Sequence, residues 1–143
     1  MSKSLGVSLV WYRNDLRIID HKGLSSAIES NRQVVAYYNF NPELFKDSNW
    51  GFKKTDRYRT KFLIESVSEL QEELNKLNIS LIVDNCLNER NLLKTIKKLN
   101  VKEIFTQREW TRDEVNEENE IFNNIDRTIK VSYSFDQFLY HPK

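Results

Sequence analysis

Apolar positions along this chain follow two alternating rhythms. Val7-Ser8-Leu9-Val10-Trp11-Tyr12 is a nearly unbroken run of strand-forming side chains, and it stops at a dense polar patch, Arg13-Asn14-Asp15-Leu16-Arg17, with Asp20-His21 just beyond. Such a run reads as a buried central strand that delivers its polar groups to the top of a sheet. Asp20 suits the N-cap of a short helix with Leu24, Ala27 and Ile28 on one face. Gln33 to Phe40 is the second strand, closed by Asn41-Pro42, and a long irregular loop runs through Phe45, Trp50 and Gly51. From about Asp56 the period becomes helical, with Leu63, Val67, Leu70, Leu74 and Leu77 stepping by four, three, four and three. Ile79 to Val83 is a third strand. Asn88 suits the cap of a helix bearing Leu92, Leu93, Ile96 and Leu99, and Val101 to Thr106 is a fourth strand. A charged helix starts near Thr111 with Val115, Phe122 and Ile125 inward. Thr128 to Tyr133 is a fifth strand, and Phe138-Leu139-Tyr140-His141-Pro142 is an extended tail.

Strands that alternate with helices imply right-handed crossovers and a parallel sheet covered on both faces. The first strand is apolar throughout, so it belongs in the middle. The expected fold is therefore α/β: a doubly wound, Rossmann-like five-stranded parallel sheet of order 3-2-1-4-5 with helices on both faces. The order reverses between strands one and four. A ligand is expected above their carboxyl ends, near Arg13 to Arg17 and Gln107 to Glu114.

Composition narrows the ligand. At 143 residues the chain is one domain with room for a real core, and its net charge of +1 gives no bulk attraction to nucleic acid or membrane. Apolar runs are strand-sized, well below the roughly 18 residues of a membrane helix. Met1-Ser2-Lys3-Ser4 does not lead into a secretory pattern, so a cytoplasmic protein is expected. The single Cys86 forms no internal disulfide and reads as an inert small hydrophobe; with two histidines in the chain it makes no familiar zinc spacing. Glycines stand only at 6, 23 and 51, so there is neither a GxGxxG turn nor a Walker loop, which argues against an NAD or ATP enzyme. No GxSxG elbow supports hydrolytic chemistry.

The run Trp11-Tyr12-Arg13-Asn14-Asp15-Leu16-Arg17 resembles the opening of the photolyase/cryptochrome family, with Tyr12 where that family usually has Phe. Lys54-Thr55, Arg59 and Phe62-Leu63-Ile64-Glu65-Ser66-Val67 resemble the family's Arg and Phe-Leu-x-Glu-Ser run at the start of a long helix. Gln107 to Glu114 is similar to the acidic turn after the fourth strand of DASH-type cryptochromes, and Leu139-Tyr140-His141-Pro142 to the tail that closes their first domain. These motifs stand in family order over essentially the whole chain. The resemblance implies that residues 1–143 are the family's N-terminal α/β (antenna) domain, which holds a light-harvesting chromophore, commonly a reduced folate such as 5,10-methenyltetrahydrofolate. In the family, excitation passes to FAD in a larger helical domain, and FAD drives repair of pyrimidine dimers in DNA. That helical FAD-binding domain is absent from this sequence and is the implied partner, in cis or as a separate chain. DNA would be reached only through the parent protein, so this part of a deoxyribodipyrimidine photolyase is not expected to be catalytic alone.

The resemblance implies cofactor-binding roles for Glu114 and Asp113, the predicted strand ends add Phe40 and Gln107, and no residue is assigned to catalysis or metal binding. Glu114 stands where the family uses a carboxylate, which accepts the amino group and ring N–H of a pterin edge as a bidentate pair. Thr111-Arg112-Asp113-Glu114 is equally a capping box, and the two roles are compatible. Asp113 gives a supporting contact or only an acid favoured by the helix dipole. Phe40 could stack on a planar chromophore or fill a core rim, with Gln107 near it. Arg13, Asp15 and Arg17 read as structural, Trp11 as core, Trp50 and Trp110 as loop or interface residues, and His21 as part of a helix's first turn. Lys46, Lys53, Lys54, Arg57, Arg59 and Lys61 cluster, which reads as a solvated face or a docking surface, with Asp113, Glu114, Glu117, Glu118 and Glu120 as counterweight. Two other classes stay open: a stand-alone nucleotide-binding α/β module, and a ligand-free structural domain.

Overall fold

A computed structural model describes residues 6–86, 90–137 and 139–140, and these described residues form five strands and four α-helices. In order these are β1 (Val7–Trp11), α1 (Lys22–Glu29), β2 (Gln33–Asn39), a short 3-10 turn (Pro42–Phe45), α2 (Arg57–Lys76), β3 (Ser80–Asp84), α3 (Arg90–Lys98), β4 (Val101–Gln107), α4 (Arg112–Asn124) and β5 (Lys130–Ser134). All neighbouring strands are parallel and their order is β3-β2-β1-β4-β5, as the sequence pattern predicts. Trp11 ends β1 between Tyr37 of β2 and Thr106 of β4.

The alternation of side chains along β1 explains the two layers of cover. Val10 and Tyr12 enter a cluster with Leu24 and Ala27 of α1 and Val67, Leu70 and Leu74 of α2. Leu9 and Trp11 point the other way, toward Leu92 and Ile96 of α3 and Ile121 of α4. Every β1 residue is buried, so neither face of this strand tolerates a charge.

Several local expectations are corrected. His21, not Asp20, caps α1: its Nδ1 accepts from the Leu24 amide at 2.9 Å, while Asp20 turns the chain through the left-handed region at φ 52°. Ile28 is half-exposed, because α1 turns Gly23, Leu24 and Ala27 inward. Leu77 is exposed as the residue just past α2. The fully buried residues of α4 are Glu118 and Ile121; Phe122 and Ile125, as expected, pack against the same cluster while partly buried, and Val115 is partly buried outside it. The fifth strand begins at Lys130 rather than Thr128, whose backbone N–H donates to the Asp126 carboxylate in a turn. Asn88, Phe138, His141 and Pro142 lie outside the described residues, while Leu139 and Tyr140 are exposed.

Candidate functional site

The polar exit of β1 organises the top of the sheet. Asp15 is buried and serves two partners: its Oδ1 accepts from the Arg13 backbone N–H at 2.9 Å, and its Oδ2 lies 2.6 Å from His21 Nε2. Because His21 Nδ1 is an acceptor for α1, the ring proton sits on Nε2 and is donated to Asp15. Arg17 closes the same loop by donating to the Asp20 carbonyl.

Arg13 turns toward α4. Its guanidinium donates to Glu118 Oε1 at 3.1 Å, Glu117 Oε2 at 2.9 Å and the Glu114 carbonyl at 2.8 Å, and it lies 4.7 Å over the Trp11 ring. Glu118 also accepts from Arg108 at 2.9 Å and from the Tyr133 hydroxyl at 3.3 Å. These bonds fix α4 against the sheet and thereby set its first turn beside β1.

A cleft of about 150 Å³ opens there. Its floor is Trp11 to Asn14, one wall is Tyr38, Asn39, Asn41 and Leu44, and the other is Asp113, Glu114 and Glu117 of α4. Glu114 Oε1 accepts from Asn14 Nδ2 at 2.7 Å and Oε2 from the Thr111 hydroxyl at 2.7 Å. Burial pushes the Glu114 carboxyl up, but the Thr111 and Asn14 hydrogen bonds and the Arg13 charge outweigh it and hold the group below its ordinary value. It is therefore an ionised acceptor with lone pairs to spare. The reciprocal capping box does not form, since Thr111 donates its hydroxyl to Glu114 and makes no side-chain cap bond to the backbone.

Of the four residues singled out in the sequence, Glu114 and Asp113 line this cleft; Phe40 and Gln107 do not. Phe40 packs edge-on against Tyr38, with ring centroids 4.9 Å apart, at the margin of the core. Gln107 is buried at the end of β4. The hollow lies over β1 and β2, with α4 as its far wall, and not midway between β1 and β4.

Residues 8–143 match the sequence model of the DNA photolyase family. The chain belongs to that family. It is 37% identical over 117 residues to Cryptochrome DASH of Synechocystis sp., covering 82% of this chain and 24% of the relative. Cryptochrome DASH of Gloeobacter violaceus is 39% identical over 107 residues, covering 75% and 21% of the two chains, and Blue-light photoreceptor PHR2 of Arabidopsis thaliana is 36% identical over 135 residues, covering 94% and 30%. The crystal structure of the Synechocystis sp. cryptochrome superposes with a TM-score of 0.87 at 33% identity, over 94% of this chain and 28% of that one. The chain thus spans about a quarter of the length of the relatives it matches, and it is the photolyase/cryptochrome N-terminal α/β domain.

Within this photolyase-family domain, Asn14 lines the cleft, and Glu109 and Glu118 bond to its lining residues Asn14 and Arg13, although none of the three stands out in the sequence. Asn14 sits inside a charged motif dominated by its arginines, and Glu118 inside an acidic run that reads only as the counterweight to the basic cluster. Glu109 gave one signal, an acid placed immediately after a buried strand. It is 2% exposed, and burial pushes its carboxyl above the ordinary value, with the Glu114 charge adding to the effect. Elsewhere, Lys46 and Lys61 of the basic cluster pair locally with Glu43 and Glu65, while Lys54 reaches across to Asp113 at the start of α4. Trp11 is buried, Trp50 and Trp110 are exposed, and the Cys86 backbone pairs with the Asn39 amide in both directions. Among the described residues no cluster of His, Cys, Asp and Glu could hold a metal, and no helix is long and apolar enough to cross a membrane.

Proposed function

We propose that this domain holds the light-harvesting chromophore of a photolyase or DASH-type cryptochrome, a reduced folate such as 5,10-methenyltetrahydrofolate, with Glu114 as its anchor. The observation that carries the reading is the ionised Glu114 carboxylate on the wall of a cleft whose lining also includes the aromatic residues Trp11, Tyr12 and Tyr38 and the polar residues Asn14, Asn39 and Asn41. A carboxylate so placed accepts the amino group and adjacent ring N–H of a pterin edge as a charge-assisted pair. Asp113 and Glu117 add negative charge to the same wall, while the Arg13 guanidinium is already engaged by α4. That balance favours a donor-rich heterocycle over a phosphate group and counts against ATP, FMN or FAD here. The volume, small beside the roughly 300–1,000 Å³ of a typical ligand pocket, suits a ring system whose tail stays outside.

In the whole protein the partner of this domain is the helical FAD-binding domain, in cis or as a separate chain. Repair of pyrimidine dimers belongs to that FAD, so this chain alone collects light without chemistry. The test is the near-ultraviolet spectrum of purified protein incubated separately with 5,10-methenyltetrahydrofolate, FMN, FAD and ATP. Folate uptake is expected, weakened about tenfold or more in Glu114→Gln, as loss of a charged hydrogen-bond partner of about 1.5–3 kcal/mol requires, with the far-ultraviolet circular dichroism unchanged. Tight uptake of a nucleotide alone would instead identify a nucleotide-binding module, and no uptake of any of the four a structural domain.

A further inference from the structure

Tyr38 lines the cleft from β2, on the wall across from Glu114. Its ring belongs to the core beneath α1 and α2 and packs edge-on against Phe40, a task that phenylalanine would serve as well. The residue is 6% exposed, yet its hydroxyl forms no hydrogen bond among the described residues. Other phenols of this sheet are matched: the Tyr37 hydroxyl donates to Asp84 at 2.7 Å and that of Tyr133 to Glu118 at 3.3 Å. Tyr12, whose hydroxyl is also unmatched, packs its ring against His21 and is 1% exposed. A buried hydroxyl without a partner costs the fold stability, so one kept on a cleft wall calls for a partner from outside the chain.

The bonding capacity of the cleft is otherwise lopsided. Asp113, Glu114 and Glu117 supply acceptors from α4. Three neighbouring donors are already engaged: Arg13 by Glu114, Glu117 and Glu118, Asn14 by Glu109 and Glu114, and the Asn39 amide by the Cys86 carbonyl. A flat ring gripped along one edge by acceptors is oriented only when a second polar group meets it elsewhere. Burial and the charge of Glu117 raise the Tyr38 phenol above its ordinary range, so at neutral pH it is an O–H donor. The influence of Glu117, itself a residue of the opposite wall, sets that phenol within electrostatic reach of α4.

We propose that the Tyr38 hydroxyl is a ligand-binding group: it donates a hydrogen bond to an acceptor atom of the ring that Glu114 holds by its donor edge. The proposal rests on the reading of Glu114 as the ligand anchor. It makes the cleft selective for heterocycles that carry both features, because a ring without the acceptor leaves the phenol unmatched in the complex. A pterin carries both, with a ring carbonyl beside its amino group and ring N–H.

The test is Tyr38→Phe, which deletes the hydroxyl and keeps the ring that packs on Phe40. Binding of 5,10-methenyltetrahydrofolate, FMN, FAD and ATP is measured separately for wild type and variant from near-ultraviolet spectra, with urea midpoints of the ligand-free proteins alongside. Folate binding is expected to weaken about fivefold, the worth of one neutral hydrogen bond, while the urea midpoint does not fall. Unchanged folate affinity in Tyr38→Phe overturns the proposal and leaves the folate reading standing. A lowered urea midpoint also overturns it, since the hydroxyl then serves the fold. Uptake of FMN, FAD or ATP in place of folate, weakened by Tyr38→Phe, overturns the folate reading and upholds Tyr38 as a contact. Uptake of none of the four by wild type overturns both.

Discussion

Arg13 Nη1 lies 3.1 Å from Glu118 Oε1, and the two side chains, 6% and 1% exposed, join the end of β1 to the middle of α4. Glu118 also accepts from Arg108 and Tyr133, so one carboxylate gathers β1, β5 and the chain beyond β4 onto a single helix. Burial pushes this carboxyl above its ordinary value even against both guanidinium groups, which means that pairing offsets desolvation only in part. Removing one partner of such a group strands the other charges in the interior. Glu118→Ala is therefore expected to lower the unfolding free energy by about 3–5 kcal/mol, measured by urea denaturation. Joint replacement by Arg13→Met and Glu118→Leu should cost much less than the sum of the single changes, and a strictly additive result would refute the coupling.

Tyr12 carries a different kind of cost. Its side chain is 1% exposed and its hydroxyl has no hydrogen-bond partner among the described residues, with the ring packed 4.9 Å from that of His21. Burial and the neighbouring Asp15 charge hold the phenol well above its usual ionisation range, so it is a neutral, unmatched polar atom. Tyr12→Phe deletes that atom and keeps the ring. The substitution is expected to raise stability by about 1 kcal/mol, since an unsatisfied buried donor costs about 1–3 kcal/mol. A lower urea midpoint for Tyr12→Phe would show that the hydroxyl has a partner after all.

Much of this fold was legible because its information is one-dimensional. An apolar β1 flanked by amphipathic segments permits few parallel arrangements, and order 3-2-1-4-5 follows from placing that strand in the middle. The cleft was harder, because its parts are contributed by residues about 100 positions apart: Asn14 meets Glu109 and Glu114, and Arg13 meets Glu117 and Glu118. Periodicity also misled where an inward position was charged. Glu118 occupies the buried stripe of α4 beside Ile121, a position that a count of hydrophobic residues alone passes over. His21 and Asp20 illustrate the limits of cap preferences, since the better cap by residue type took the left-handed turn and left the imidazole to reach Leu24.

His21 joins two structural tasks in one ring. Nδ1 caps α1 through the Leu24 amide and Nε2–H satisfies buried Asp15, so the neutral ring serves both. His21→Ala is expected to cost about 2 kcal/mol or more, combining a lost cap of about 1 kcal/mol with an acid left short of a donor. His21→Asn can keep the cap but is too short to span to Asp15 as well, and should fall between alanine and wild type. Nitrogen-15 chemical shifts of the ring check the assignment directly, since a proton on Nδ1 is incompatible with the cap.

Glu103 supplies the pH dependence that can be worked out with its sign. Its side chain is 9% exposed on β4; Oε1 accepts from Lys130 at 2.9 Å and Ser132 at 2.7 Å, and Oε2 from Arg32 at 3.1 Å. Burial raises the carboxyl, but the hydrogen bonds from Lys130, Ser132 and Arg32 together outweigh it, leaving the folded value below the ordinary one. A depressed acid contributes stability that is present above its unfolded value of about 4.3 and is lost as pH falls through the folded value. Lys130 is 71% exposed, so solvent screens its share and the gain rests mainly on Ser132 and Arg32. Glu103→Gln should thus be less stable than wild type at neutral pH by about 1 kcal/mol, and the gap should close as the solution is acidified below the usual carboxylate range. Urea midpoints for the two proteins at neutral and acid pH decide it: a gap that persists unchanged into acid would place its cause in packing and not in the charge of Glu103.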